Sequence, residues 1–150
     1  MTAPGSYPNS QTFHPCSPEA MEALGTELAS LCSEGTVVTL AGELGVGKSV
    51  LARAIARALG VTDRMPSPSY TLVEEYPGDP LVLHIDLYRL TDAEEFALLG
   101  LDDSMGSAVS LVEWADRAPE LLHQSALRVT ILFDTENPAC RSVTVERRPQ

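Results

Sequence analysis

The fold of this chain is decided by the stretch GELGVGKS, residues 42–49. It fits the pattern G-x-x-x-x-G-K-[ST], in which a glycine-rich loop cradles phosphate groups. Glycines let the backbone curl so that successive N–H groups point at one anion, and Lys48 adds a positive charge. Ser49 supplies a hydroxyl group for Mg²⁺. The pattern therefore predicts a site for a nucleotide phosphate and a magnesium ion.

The flanks of this phosphate loop support the prediction. Residues 36–41, TVVTLA, are apolar and β-branched, which is typical of a buried parallel strand. Residues 50–59 are rich in strong helix formers with one apolar face, and Gly60 follows as a helix stop. The loop thus lies between a strand and a helix, whose N-terminus attracts anions.

Composition limits the classes of function. At 150 residues the chain is long enough for one domain with a sizeable core. No apolar run could span a bilayer, so we expect a cytoplasmic protein without membrane contact. A net charge of −11 disfavours direct binding of nucleic acid, because phosphate contacts need clustered Lys and Arg. Nucleic acid brought by a basic partner stays open.

The cysteines and histidines predict neither a disulfide nor a structural metal. Cys16, Cys32 and Cys140 are odd in number and far apart, and they match no zinc spacing. The three histidines are equally scattered. We therefore expect no disulfides.

The remaining segments predict an α/β domain with a mixed sheet and helices on its faces. Residues 1–10 are expected to form a flexible tail, and residues 11–150 a single domain. Ser17 and Pro18 are typical of a helix start. Extended runs at 67–76 and 81–88 around a turn predict an antiparallel hairpin. The other predicted elements are a helix from 93 to about 100 and strands at 11–14, 108–112, 126–133 and 141–146.

Two apolar strands end in carboxylates that could complete the site. Glu113 follows a buried strand, and there it could hold Mg²⁺ or orient an attacking water. Asp86 shares one strand face with Val82, His84 and Tyr88. That face is either part of the site or a solvent-facing side of the hairpin. Both readings stay open from the sequence alone.

Other side chains are weaker candidates. Ser69 and Thr71 lie in a segment that could reach a γ-phosphate through a hydroxyl group. Trp114 lies next to Glu113, but a core position is the more common role for a lone tryptophan. The candidates for stabilising phosphate charge are Arg64, Arg89 and Arg117.

Four motifs together resemble the TsaE (formerly YjeE) family of bacterial ATPases, which serve tRNA threonylcarbamoyladenosine modification. They are the phosphate loop, SPSYTLV at 67–73, HIDLYRL at 84–90 and VEW at 112–114. Their order and spacing agree with the family over nearly the whole domain. The chain departs from the family pattern at Val46, Val50, Ser49 and Ser69.

The resemblance implies a three-layer P-loop NTPase-like fold with a mixed central sheet and an antiparallel hairpin. It implies a protein that binds ATP and Mg²⁺, hydrolyses ATP slowly by itself and supports turnover of the TsaB–TsaD pair. tRNA would be met only through that complex.

The resemblance also assigns roles to individual residues. Lys48, Asp86 and Glu113 would be catalytic, and Ser49 and Glu113 would hold Mg²⁺. The adenine would lie near Ser17 and Pro18 and the region 137–141. The expected nucleotide-binding residues are Gly42, Gly45, Val46, Gly47, Lys48, Ser49, Val50, Ser69 and Thr71.

Three other functions fit the phosphate loop. A small-molecule P-loop kinase fits the size of the chain but predicts an arginine-rich lid, whereas the arginines here are few and dispersed. A GTPase would usually carry an N-K-x-D run, and the sequence has none. A structural subunit with a vestigial loop is the fourth hypothesis.

Overall fold

A computed structural model describes residues 9–148. Most of these residues belong to seven strands and five α-helices, with one 3₁₀ turn at Ala115–Arg117. In chain order the elements are β1 (Asn9–Phe13), α1 (Pro18–Ala29), β2 (Val37–Ala41), α2 (Lys48–Ala58), β3 (Val73–Tyr76), β4 (Val82–Asp86), α3 (Ala93–Leu98), α4 (Asp102–Ser107), β5 (Val109–Glu113), α5 (Pro119–Gln124), β6 (Leu127–Phe133) and β7 (Arg141–Arg147).

The strands form one mixed sheet in the order β1-β7-β6-β2-β5-β4-β3. The four inner strands β6, β2, β5 and β4 run parallel, while β3, β7 and β1 pair antiparallel with their neighbours. Because parallel strands end at the same edge, the ends of β2, β4 and β5 lie side by side. This edge carries the phosphate loop, Asp86 and Glu113.

Helices cover both faces of the sheet, as predicted. One apolar cluster contains buried residues of α1 and α2, including Leu24, Leu28, Leu51 and Ile55. A second cluster on the opposite face includes Leu83 and Ile85 of β4 with Met105 of α4 and Leu121 of α5. The predicted α/β class with a mixed sheet, three layers and an antiparallel β3–β4 hairpin is confirmed.

The sequence predicted the bounds of some elements correctly and missed or lengthened others. The Ser17 side chain accepts a hydrogen bond from the Ala20 N–H at 3.0 Å and caps α1, which begins at Pro18. The predicted strand at 67–76 is shorter, since only Val73–Tyr76 pairs with β4. Helices α4 and α5 were not predicted, because six residues are too short for a clear apolar period.

The tail predicted for residues 1–10 meets the sheet at its last two positions. Residues 1–8 lie outside the described residues. Asn9 and Ser10 belong to β1, where they pair with Arg147 and Glu146 of β7. These two residues are extended because they pair with β7, which the polar composition of the segment did not indicate.

The expectation of no disulfides is wrong in this structure, because Cys16 and Cys140 are bonded to each other. They are 124 residues apart in the chain. The pairing of Phe13 with Val143 at the end of β1 brings the two cysteines together. An odd number of cysteines does not exclude one disulfide. The spacing of the cysteines along the chain does not show which of them are close together in the fold.

None of the helices among residues 9–148 is long and apolar enough to cross a membrane.

The thiols provide a direct test of the disulfide. We expect one reactive thiol per chain, Cys32, when the unreduced protein is unfolded, and three after reduction. In the folded protein Cys32 should react slowly, since burial raises its pKa to about 11 and leaves little thiolate at neutral pH. Thiol titration measures all three states. A Cys32→Ser control should show no thiol before reduction, and three thiols in the unreduced wild type would contradict the pairing.

Gly25 tests the packing of α1 against α2. A Cβ there would lie 2.5 Å from the Ala54 Cβ and 3.0 Å from the Ala54 carbonyl carbon. Alanine favours a helix over glycine by about 1 kcal/mol, but overpacking costs about 1–3 kcal/mol. We expect Gly25→Ala to lower the free energy of unfolding by up to about 2 kcal/mol in urea denaturation.

The control for this prediction is Gly106→Ala in α4. An added Cβ there meets no atom within 4 Å, so this variant should be at least as stable as wild type. A Gly25→Ala protein as stable as its control would show that the two helices are not in tight contact.

Candidate functional site

The phosphate loop has a shape that requires glycine. At Gly42 a Cβ would lie 2.6 Å from the Ile131 carbonyl oxygen and 2.7 Å from Val46 Cγ1, so no side chain fits. Gly45 and Gly47 have φ angles of 80° and 119°, which L-residues rarely adopt. Gly47 immediately precedes α2, so the loop delivers the chain to a helix N-terminus.

Lys48 is the only lysine of the chain and is buried at the base of this loop. Its Nζ donates hydrogen bonds to the carbonyl oxygens of Gly42 at 2.6 Å and Glu43 at 2.9 Å. The same nitrogen lies 4.6 Å from the centre of the Trp114 ring. Burial lowers the pKa of Lys48, while the negative charges of Glu113 and Asp86 act to raise it. A buried cation next to carboxylates is thus present where the motif predicts the phosphate contact.

A cavity of about 340 Å³ opens beside the loop at the carboxyl edge of the sheet. It brings together residues that are distant in sequence, from the loop, α2, the segment after α2, β4 and β5. Its lining comprises Leu44, Gly45, Gly47, Lys48, Ser49, Val50, Ser69, Tyr70, Asp86, Tyr88, Arg89, Glu113 and Trp114.

Glu113 is the buried carboxylate of the site. Its Oε2 accepts a hydrogen bond from Ser49 Oγ at 2.9 Å and lies 2.6 Å from His84 Nε2. Burial by itself would raise the pKa of Glu113. The hydrogen bond and charge of His84, the hydrogen bond of Ser49 and the charge of Lys48 outweigh burial and lower that pKa. Glu113 is therefore held as a carboxylate in contact with the Ser49 hydroxyl.

Asp86 is the second carboxylate, and its environment is different. It is paired in register with Glu113 across the parallel β4–β5 ladder. Burial raises the pKa of Asp86, opposed by a hydrogen bond from the Tyr88 N–H at 3.0 Å, and the charge of Glu113 raises it further. The two carboxylates thus differ in their readiness to take up a proton, as in many sites that use paired acids.

The residues around Glu113 fit a magnesium ion. Among residues 9–148 no group of three or more His, Cys, Asp and Glu is placed to hold a metal. Mg²⁺ does not require such a cage, because it keeps several waters and binds through one or two carboxylates plus substrate phosphates. The Ser49 hydroxyl and the Glu113 carboxylate are oxygen donors of this kind, and they are already in contact.

Most of the predicted site residues line this cavity, and a few do not. Ser69 lines it, whereas the Thr71 hydroxyl donates to Glu74 Oε1 at 3.0 Å and lies outside the lining. Gly42 and Val46 also lie outside the lining, and their observed roles are in shaping the loop. Val46 is buried, and its N–H donates to the Glu43 carbonyl at 3.2 Å. Phosphate contacts by Thr71 and Val46 stay predictions, as do those of the residues that line the cavity.

Of the three candidate arginines, only Arg89 lines the cavity, where its guanidinium lies 4.4 Å from the centre of the Tyr70 ring. Arg117 instead donates to the Leu90 carbonyl at 3.3 Å. Arg64 is exposed and outside the lining.

Two buried residues belong to this site that the sequence did not assign to it. His84 is fully buried and Tyr76 is 1% exposed, so a solvent-facing side of the hairpin is wrong for this part of β4. The reason is that β4 lies between β3 and β5, with helices over both faces. A histidine two residues before Asp86 was the available signal, but its burial depended on the sheet order.

Trp114 is the third residue whose place became clear only in the structure. Its backbone is left-handed, with φ 58°, a conformation that costs a non-glycine residue energy. Its ring lies under Lys48 and 4.9 Å from the centre of the Tyr88 ring. Trp114 therefore forms a wall of the site.

Arg141 supports the loop from behind. Its Nε donates to the Val46 carbonyl at 2.9 Å, and its guanidinium lies 4.8 Å from the centre of the Phe133 ring. Its backbone N–H donates to the Pro15 carbonyl at 2.9 Å, next to the disulfide. The two regions expected near an adenine, at Ser17 and at 137–141, are therefore neighbours beside the loop, and adenine contact there stays a prediction.

The glycine loop lies between a central parallel strand and a helix, and a carboxylate from the neighbouring strand contacts the loop serine. This arrangement defines a P-loop NTPase-like protein. The solved structures agree with this class. The fold is similar to the crystal structure of YdiB from Bacillus subtilis, with a TM-score of 0.78 and 30% sequence identity. That match covers 94% of this chain and 87% of the other.

Sequence comparisons identify the family. The model of the family "Threonylcarbamoyl adenosine biosynthesis protein TsaE" matches residues 16–143. The tRNA threonylcarbamoyladenosine biosynthesis protein TsaE of Bacillus subtilis is 40% identical over 116 residues, covering 76% of this chain and 72% of its own. The protein of that name from Streptomyces coelicolor is also 40% identical over 116 residues, covering 74% and 78%. The chain belongs to the TsaE family, which is involved in tRNA threonylcarbamoyladenosine biosynthesis.

Arg141→Ala tests the support behind the loop. Loss of the guanidinium leaves the Val46 carbonyl without its charged donor, so the loop should hold phosphates less well. We expect affinity for a fluorescent ATP analogue to fall about tenfold, the scale of one charge-assisted hydrogen bond, while circular dichroism stays unchanged.

Arg147→Ala is the matched control for this prediction. It removes the same charge from an exposed position on the same strand. It should therefore bind the analogue like wild type. Equal loss of affinity in both variants would mean that overall charge, not the contact with the loop, is responsible.

Proposed function

We propose that this chain is an ATPase that binds and hydrolyses ATP with Mg²⁺ and supports turnover of a TsaB–TsaD complex in tRNA threonylcarbamoyladenosine modification. The observation that carries the proposal is the contact between Ser49 and Glu113 at 2.9 Å. It joins the last residue of the phosphate loop to a buried carboxylate in the cavity that also contains Lys48 and Asp86.

Each of these groups has a defined task in the proposal. The backbone of residues 45–50 and the Lys48 ammonium bind the phosphates, and Ser49 and Glu113 hold the ion. Mg²⁺, when bound, neutralises charge that develops on the phosphate oxygens. Asp86 lies next to Glu113, where its carboxylate can orient an attacking water or accept its proton.

The remaining surface supports a partner-dependent role. The net charge of −11 argues against a direct grip on tRNA. Leu44 and Tyr70 line the mouth of the cavity and are 67% and 81% exposed. Such apolar side chains at the rim of a site favour a protein partner docking there. The names of the relatives place them in the same tRNA modification pathway.

Turnover of ATP by point variants is the central test. We expect Lys48→Ala and Glu113→Gln each to lower kcat by about 100-fold or more, since each removes a group at the phosphates or the ion. Malachite-green release of phosphate, with and without TsaB–TsaD, measures this. Glu120→Gln, an exposed acid of α5, controls for the loss of one negative charge.

Several results would contradict the proposal. If a reconstituted system modifies tRNA over multiple turnovers equally well with and without this chain, the proposed role in the complex is wrong. Preference for GTP over ATP would favour a GTPase. Phosphate transfer to a small acceptor in place of water would favour the kinase. Full function of Lys48→Ala would favour a structural subunit.

A further inference from the structure

A line of buried hydrogen bonds leads away from Glu113. His84 Nε2 lies 2.6 Å from Glu113 Oε2, and His84 Nδ1 lies 2.9 Å from Tyr76 Oη. Tyr76 Oη in turn lies 2.6 Å from the carbonyl oxygen of Pro66. The sheet does not depend on these contacts, because backbone ladders already pair β3 with β4 and β4 with β5. Their effect is to connect the site carboxylate to a loop.

The hydrogens along this line follow from the chemistry of the acceptors. A carbonyl oxygen cannot donate, so the Tyr76 hydroxyl group donates to Pro66. His84 Nδ1 must then carry a hydrogen and donate it to Tyr76 Oη. The Glu113 carboxylate can only accept, so the other ring nitrogen, Nε2, donates to it. The imidazole therefore cannot rotate without breaking two buried hydrogen bonds at once.

The loop at the end of this line is residues 66–72, here called the wall segment. Ser69 of the wall segment lines the cavity. The segment is attached to the sheet at both ends. Its Pro66 carbonyl accepts from the tyrosine, and its Leu72 carbonyl accepts from the Asp86 N–H at 2.9 Å. Of these two attachments only the first is made by a side chain, and it is the one that leads to Glu113.

We propose that His84 and Tyr76 are positioning residues that couple the Glu113 carboxylate to the wall segment. The inference rests on the proposed function, because it takes Glu113 as a ligand of Mg²⁺. Hydrogen-bond partners of a metal ligand orient it, and their loss commonly lowers metal affinity by about 10- to 100-fold. His84 stands in this relation to Glu113. Tyr76 contacts both the His84 ring and the Pro66 carbonyl, so the position of the ring determines where Pro66 is held. Binding of an ion at Glu113 therefore orders the wall segment.

The alternative is that His84 and Tyr76 are an ordinary buried polar pair. In that case their removal lowers stability but does not change how the wall segment responds to the ion. The two ideas therefore differ in a measurable quantity, which is the magnesium-dependent part of the protection of amides 67–72 from hydrogen exchange.

Tyr76→Phe tests the link to the wall segment, since it removes only a hydroxyl group. Wild type should protect amides 67–72 more strongly with ATP and Mg²⁺ than with ATP and EDTA. In Tyr76→Phe this difference should disappear, while affinity for Mg²⁺–ATP stays within about threefold of wild type. Thr12→Val, which removes an exposed hydroxyl group of β1 outside the cavity lining, is the control and should behave like wild type. A magnesium-dependent difference that persists in Tyr76→Phe would overturn the proposal.

Two amide replacements of His84 separate the two sides of the ring. The side-chain N–H of Gln takes the place of Nε2 beside Glu113, and that of Asn takes the place of Nδ1 beside Tyr76. His84→Gln should keep magnesium-dependent affinity for ATP but lose the protection of amides 67–72. His84→Asn should lower the magnesium-dependent affinity by about tenfold or more. Wild-type values of both readouts in both variants would overturn the proposal.

Hydrogen exchange measured without nucleotide tests the coupling between Glu113 and the wall segment independently of the proposed ATPase activity. Glu113→Gln and Tyr76→Phe should have non-additive effects on exchange at 67–72, although the two side chains do not touch. Glu113→Gln combined with Thr12→Val should be additive. Additivity in both pairs would refute the coupling even if the chain hydrolyses ATP. Non-additivity in a chain that binds no ATP would refute the proposed function and leave the coupling in place.

Discussion

The burial of one carboxylate, Glu113, constrains the architecture around the site. A carboxylate that is 3% exposed requires partners, because an unpaired charge in the interior costs several kcal/mol. Ser49 and His84 supply hydrogen bonds, and Lys48 supplies charge. Lys48 and Ser49 lie where the phosphate loop passes into α2, and His84 lies on β4. The parallel ladders that place β2 between β6 and β5, and β5 between β2 and β4, are what bring them together.

The same arrangement explains why Lys48 is tolerated in the interior. Its ammonium is satisfied by two carbonyl oxygens of the loop and by the face of Trp114, with Asp86 and Glu113 near enough to raise its pKa against the effect of burial. Cation and carboxylates thus offset each other's burial. A phosphate entering the cavity would meet one cation and two carboxylates that the sheet already holds in place.

Support for the site comes from both sides of the loop. Behind it, Arg141 binds the Val46 carbonyl, and the disulfide fixes the start of β7 to the residues before α1. In front, the wall segment is attached through Tyr76 and His84 to Glu113. The rear contacts are made by arginine and a covalent bond, whereas the front contact depends on a line of three hydrogen bonds made by side chains. This difference is the physical reason to expect the front to respond to an ion at Glu113.

The sequence by itself determined the α/β class, the phosphate loop and the two acids, because each is a local pattern: a strand-loop-helix run, and strands that end in Asp86 and Glu113. The starts of α1 and α3 were also local, since Ser17 and Asp92 cap their helices through neighbouring N–H groups. Only the tertiary structure decided that His84 is buried, that Tyr76 reaches it, that Trp114 lies under Lys48, and that Cys16 meets Cys140. Each of these depends on which strands are neighbours and on the register of β1 with β7, and contacts between residues eight to 124 apart leave no local signal in the chain.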